Sequence, residues 1–140
     1  MGGENAMIDH QTALIYTMVL ASASDRDMTD AELRTIGDIV NFLPVFRGVN
    51  VDELATTAEA CAVMLEDEDG LDQILDQVRV ALPQKLRETA YALACDVVAV
   101  DGTAHQEELR MLEMIRHRLD VDRLNAAAIE RGARARFAHI

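Results

Sequence analysis

Three observations predict an all-α fold. Half of the 140 residues are hydrophobic, yet only 4% are aromatic. Ala, Leu, Met and Val carry the apolar content, which suits close helix-on-helix packing rather than a sandwich of short strands. Apolar residues recur at helical spacing in segment after segment. Finally, the pattern Asp-x6-Glu-Leu occurs twice, from Asp25 to Leu33 and from Asp101 to Leu109, 76 positions apart. Each copy follows an alanine-rich apolar stretch and precedes an apolar stripe, so the unit reads as helix, short acidic loop, helix, present twice. The expected architecture is one helical bundle of about seven helices with an internal pseudo-twofold duplication. Residues 1–8 read as a flexible start and 9–140 as a single domain, with repeats at about 12–54 and 88–124.

The first helix runs from about Asp9 to Ala23. Ala13, Leu14, Thr17, Met18 and Ala21 share a face that Ile15, Val19 and Leu20 widen, which predicts a central position. Thr29-Asp-Ala-Glu32 then matches a capping box, because a Thr at the N-cap and a Glu at N3 satisfy each other's orphan N–H groups. Leu33, Ile36, Ile39, Val40 and Leu43 form the stripe that follows. Pro44 stops this helix, and Phe42 to Gly48 read as a packed apolar corner containing two of the three phenylalanines. Val51-Asp-Glu-Leu54 opens the next helix, with Leu54, Ala58, Cys61, Ala62 and Leu65 facing inward, and the acidic run Glu66 to Asp69 before Gly70 ends it. Leu71 to Leu82 is a short amphipathic helix. Pro83 suits the first turn of its successor, where a missing N–H costs nothing. Leu86, Ala90, Leu93, Ala94, Val97 and Val98 make that successor the mate of the first helix. Gly102 predicts a left-handed turn, and Leu109, Leu112, Ile115 and Leu119 repeat the earlier stripe. A last helix, rich in Ala and Arg, covers about Asp122 to Phe137. Val51-Asp-x-Leu54 also matches Val121-Asp-x-Leu124, now at an offset of 70, the corner Pro44–Val49 accounting for the difference.

The formal net charge of −12 argues against nucleic acid, since phosphate binding requires a basic surface. Residues 1–109 hold 21 acidic and 6 basic side chains and residues 110–140 hold 4 and 7, so an acidic body carries a mildly basic end. Cys61 and Cys95 are too few for a disulfide framework or a thiolate metal site and read as reduced core thiols. No basic leader and no apolar run of about 20 residues is present, which predicts a cytoplasmic protein without a membrane span.

Asp25, Asp27, Asp30 and Glu32 place several oxygen ligands within eight residues, and Asp101, Glu107 and Glu108 do so more sparsely. Hard cations such as Ca²⁺ or Mg²⁺ need such sets, although the EF-hand spacing is absent. The competing reading is structural: Glu32 and Glu108 as capping residues, Asp25 and Asp101 as turn residues, all favoured by helix N-termini. His105 with Glu108 and Asp101 offers a His-carboxylate set to a transition metal, but an N-cap or solvent-facing histidine is commoner. Arg131, Arg134 and Arg136 fall partly on one helical face and suit either an anionic partner or salt bridges within the acidic body. Glu66 to Asp69 read as a solvated loop or a contact for a basic partner, such as the Arg-rich tail of a second copy. No phosphate loop, nucleophile elbow or metalloprotease motif occurs.

With these residues in view the chain resembles the bacterial tellurite-resistance TerB family of small all-helical proteins. Its hallmarks are an Ala-rich helix, an Ala-Asp-Gly-like turn, a Glu six residues on and a Leu-rich helix. Here they read Ala94 to Val100, Asp101-Gly102, Glu108, and Leu109-Arg-Met-Leu112. The similarity covers roughly Thr12 to Leu124. Two positions depart from the pattern: Arg26 stands where Gly is expected, and His105 where a small polar N-cap is usual. The resemblance implies a non-enzymatic binding or scaffolding module of a tellurite or metal stress response, working with other proteins or further copies of itself. The interaction sites would be the acidic loops, with Asp25, Asp27, Glu32, Asp101 and Glu108 as candidate ligands of a divalent cation. Glu107, His105, Arg131, Arg134 and Arg136 are the candidate partner contacts. A Ca²⁺ or Mg²⁺ sensor or buffer is the first alternative, and an enzyme of unknown chemistry the second.

Overall fold

The computed structural model describes residues 7–22, 28–100 and 105–140. Seven α-helices account for most of them: α1 His10–Ser22, α2 Asp30–Phe42, α3 Leu54–Leu65, α4 Gly70–Ala81, α5 Gln84–Val100, α6 Gln106–Arg118 and α7 Arg123–Arg136. Short 3₁₀ turns, Pro44–Phe46 and Val51–Glu53, join α2 to α3. The expected all-α class holds. The expected flexible start falls largely outside the described residues, as does the expected turn at Gly102.

Helix α1 is the axis of the bundle. Every residue from Ala13 to Ser22 is buried, the pattern of a helix with neighbours on all sides. Its broadest contact is with α5, and α4, α3, α6 and α2 pack around it. The buried hydroxyls of Thr17 and Ser22 are satisfied within the helix, Thr17 Oγ1 donating to Ala13 O at 2.8 Å and Ser22 Oγ to Val19 O at 3.2 Å. At its start, Asp9 Oδ1 accepts the Thr12 N–H at 2.8 Å. This bond holds the Asp9 carboxyl below its usual range. Helix α5 carries α7 on its other side. Cys61 on α3 and Cys95 on α5 are buried free thiols, and burial pushes each up to about 12.

Three expected faces need correction, each for a reason of helical register. Phe46 is buried in the corner after α2, but Phe42 is 84% exposed. Ile36 and Val40 already point inward, and a residue two places beyond Val40 faces the opposite side. Leu112, Ile115 and Leu119 of α6 are buried as expected, whereas Leu109 is 52% exposed. The inward place one turn before Leu112 is taken by Glu108. Leu54 is buried but Leu124, its counterpart at the offset of 70, is 80% exposed. A 3₁₀ turn leads into α3, whereas α7 starts directly from Asp122, whose Oδ2 accepts the Leu124 and Asn125 N–H groups at 3.0 and 3.1 Å. There Val121 supplies the buried apolar group instead.

The turns are tightly specified. A Cβ on Gly70 would lie 1.9 Å from Met64 O, so the α3–α4 reversal admits only glycine. Helix α6 ends in a Schellman motif: Asp120 N–H donates to His117 O and Val121 N–H to Arg116 O, with Asp120 left-handed at φ 55°. Arg79 of α4 meets the Asp120 carboxylate at 2.9 Å, and Arg118 meets Asp72 and Asp76 at 2.8 and 3.0 Å. These pairs are largely exposed, so they orient α4 on α6 more than they stabilise the contact.

Candidate functional site

The two acidic helix starts are built on the same plan. At α2 the capping box is complete: Glu32 Oε1 accepts the Thr29 N–H at 2.9 Å, and Thr29 Oγ1 accepts the Glu32 N–H at 3.1 Å. At α6 the Glu108 Oε1 accepts the His105 N–H at 2.9 Å. No hydrogen bond joins the Glu108 N–H to the imidazole among the described residues, so only the Glu108 half of the reciprocal pair is made. The settings differ. Glu32 is half-buried at the rim, whereas Glu108 is only 6% exposed. It borders a small cavity of about 130 Å³ shared with Leu20, Glu107, Arg110, Met111 and Met114. Beyond the bond from His105, Glu108 accepts no hydrogen bond among the described residues.

Glu32 and Glu108 therefore have the capping geometry read from the sequence. Asp25, Asp27 and Asp101 lie outside the described residues. Among the described residues no three His, Cys, Asp or Glu side chains form a cluster suited to a metal ion. Glu107 and His105 are exposed beside Glu108. The three tail arginines separate: Arg136 is paired with Asp96 of α5, Arg131 is exposed without an ion pair among the described residues, and Arg134 lines a groove.

That groove, of about 550 Å³, is a feature the sequence reading missed. Its floor is α5, with Tyr91, Cys95, Val98 and Ala99, and its walls are α6 and α7. Arg110, Glu113 and Arg116 come from α6 and Glu130 and Arg134 from α7, with half-exposed Leu109 on the rim. Tyr91 donates its buried hydroxyl to Glu130. Burial, and then this bond to a carboxylate, push the phenol well above its ordinary range. The available signal was spacing: Gln106, Leu109 or Arg110, Glu113 and Arg116 recur every three to four residues, forming a second stripe on α6 beside the buried one.

Among the described residues no helix is long and apolar enough to cross a membrane. Neither the curated proteins nor the solved structures yield a match. A family model does, described as tellurite resistance protein TerB, and it matches residues 11–131. That span takes in both acidic helix starts and five of the helices in full, with most of α1 and α7; the chain belongs to the TerB family.

Proposed function

We propose that this protein is a non-enzymatic binding or scaffolding module of a tellurite or metal stress response, acting in the cytoplasm through its two acidic helix starts. The observation that carries the reading is Glu108. A carboxylate with little exposure is costly unless its oxygens are engaged; Glu108 has one bond within the described residues and faces a small cavity. A recognition role at the loop beside it, with Asp101 and Glu107, would use that remaining capacity. Its mate at the other repeat is Glu32 with Asp25 and Asp27, and we read the two starts as copies of one duplicated unit. Recognition proceeds with protein partners, with or without a bridging Ca²⁺ or Mg²⁺.

The deciding experiment is calorimetric titration of chelator-stripped protein with Ca²⁺, Mg²⁺ and Zn²⁺, repeated on Asp25→Asn/Glu32→Gln and Asp101→Asn/Glu108→Gln. Saturable heat lost in one double variant assigns a cation to that loop and favours a sensor or metal-bridged module. If no metal gives heat, the cation is discarded and partner capture by the loops is what remains. A pull-down in which both double variants retain every partner of the wild type would overturn the loop reading altogether.

A further inference from the structure

We propose that the α5–α6–α7 groove is an interaction surface for a second copy of this chain, which inserts the outer ridge of its α3. The groove offers an apolar floor with Val98 and Ala99 of α5, Leu112 at the foot of the α6 wall, an exposed Leu109 at the rim, and guanidinium groups on both walls: Arg110 and Arg116 from α6, Arg134 from α7. Of its two carboxylates, Glu130 already accepts the Tyr91 hydroxyl. The occupant must then be slim, carry an apolar side chain for the floor and present carboxylates to the walls.

Helix α3 has such a face. Its exposed positions are Ala55, Thr56, Glu59, Ala60 and Val63, continuing into the exposed turn Glu66–Asp69. They follow the i, i+4, i+8 rhythm of a single stripe. Small residues let a helix approach another backbone closely, as ridge-into-groove packing requires. Val63, 56% exposed, is the one large apolar group on the stripe. The charge on this ridge and turn is wholly negative, with Glu59 and the run Glu66, Asp67, Glu68 and Asp69 and no Lys or Arg from Leu54 to Gly70. Ridge and groove are thus complementary in charge.

They belong to different elements, α3 packing chiefly on α1 and α4 and the groove being made by α5, α6 and α7. The contact is therefore heterologous, head to tail, and each added copy exposes a fresh ridge and a fresh groove. The net charge of −12 opposes association at low ionic strength. At physiological salt the Debye length of about 8 Å screens that repulsion while leaving charge pairs in contact effective. This inference shares with the start of α6 only Leu109 and Arg110, and its readout is self-association rather than metal or partner binding by the loops, so its failure is distinguishable from that of the loop reading.

Sedimentation velocity over a concentration series tests it, with circular dichroism to confirm that each variant keeps its helices. The wild type should form a ladder of species that lengthens with concentration. Val63→Lys blocks the ridge and Arg110→Ala/Arg134→Ala weakens the groove; each alone should reduce association about tenfold or more. Mixing the two variants should restore a one-to-one dimer, because each contributes the surface the other lacks. A wild type monomeric up to millimolar concentration overturns the proposal. So does association unchanged in both variants, or a mixture no more associated than its components, which would indicate a contact of another kind.

Discussion

The starts of α2 and α6 use the same residue at the same place for the same hydrogen bond, yet the two glutamates live in different surroundings. Glu32 closes a complete box at the rim of the molecule. Glu108 closes its bond under cover, with the inward place on its helix to itself. The cause is the residue that follows. Leu33 turns partly into the core and leaves Glu32 outward, while Leu109 turns out to the groove and leaves Glu108 inward. Spacing along the chain therefore settles the bond, and the rotation of the helix settles the medium in which the bond is made.

If burial governs the behaviour of ionisable groups in this fold, the largest expected effect lies with the buried groups that lose a proton at high pH: the Tyr91 phenol and, starting at lower pH, the thiols of Cys61 and Cys95. Both thiols are raised from 9.0 to about 12. Stability from this source is intact below the unfolded value near 9.0 and declines as pH rises through the folded value near 12. At about 1.4 kcal/mol per unit, each thiol withdraws on the order of 4 kcal/mol by the end of that window. Two such losses rival the whole stability of a typical domain, about 5–15 kcal/mol. Urea midpoints should fall between about pH 9 and 10, and Cys61→Ala and Cys95→Ala should each remove a comparable share of that slope; above that range the raised phenols of Tyr91 and Tyr16 add their own. A flat profile would mean that the thiols are open to solvent.

Next in size is the contrast between the glutamates themselves. Glu108→Ala should cost about 2 kcal/mol, a lost cap together with a cavity under α6. Glu32→Ala should cost about 0.5–1 kcal/mol, the value of a cap at a partly solvated site. Chemical denaturation of the two variants measures the difference, and equal costs would break the comparison. The leucines should reverse the order: Leu33→Ala costs about 1–2 kcal/mol because it packs against the core, and Leu109→Ala stays within about 0.5 kcal/mol because it faces the groove.

These contrasts mark where the sequence was readable. The helices, the central burial of α1, its pairing with α5 and the box at Thr29 all follow from local spacing, and the structure has them. Phe42 and Leu109 read as interior because they are apolar and close to the right period, and Leu124 reads only as the counterpart of buried Leu54. Their exposure depends on a rotation of a fraction of a turn, which only the neighbouring helices decide. The groove was hidden for the same reason. Arg110, Glu113 and Arg116 are legible as a stripe on α6, but that Arg134 and Glu130 of α7 face them across α5 is a tertiary fact. Of the candidate ligands, Glu32 and Glu108 have positions that explain their spacing as capping, and this explanation is compatible with a second role at Glu108.

The smallest effect sharpens the comparison from the other side. The start of α6 lacks what Thr29 gives α2, a hydroxyl to accept the N3 amide, since His105 makes no side-chain cap bond. His105→Ser supplies that oxygen at a backbone already extended there, with φ −79° and ψ 158° against −78° and 162° at Thr29. With the geometry matched, the gain should be that of a good cap over a poor one, about 0.5–1 kcal/mol, or roughly 2–4 °C in Tm for a chain of this size. Calorimetric melting of the variant measures it. A gain of that size, with partner or cation binding unchanged, would show that His105 has no contact outside the fold. A stabilised protein that loses binding would instead place the imidazole at the recognition surface beside Glu107 and Glu108.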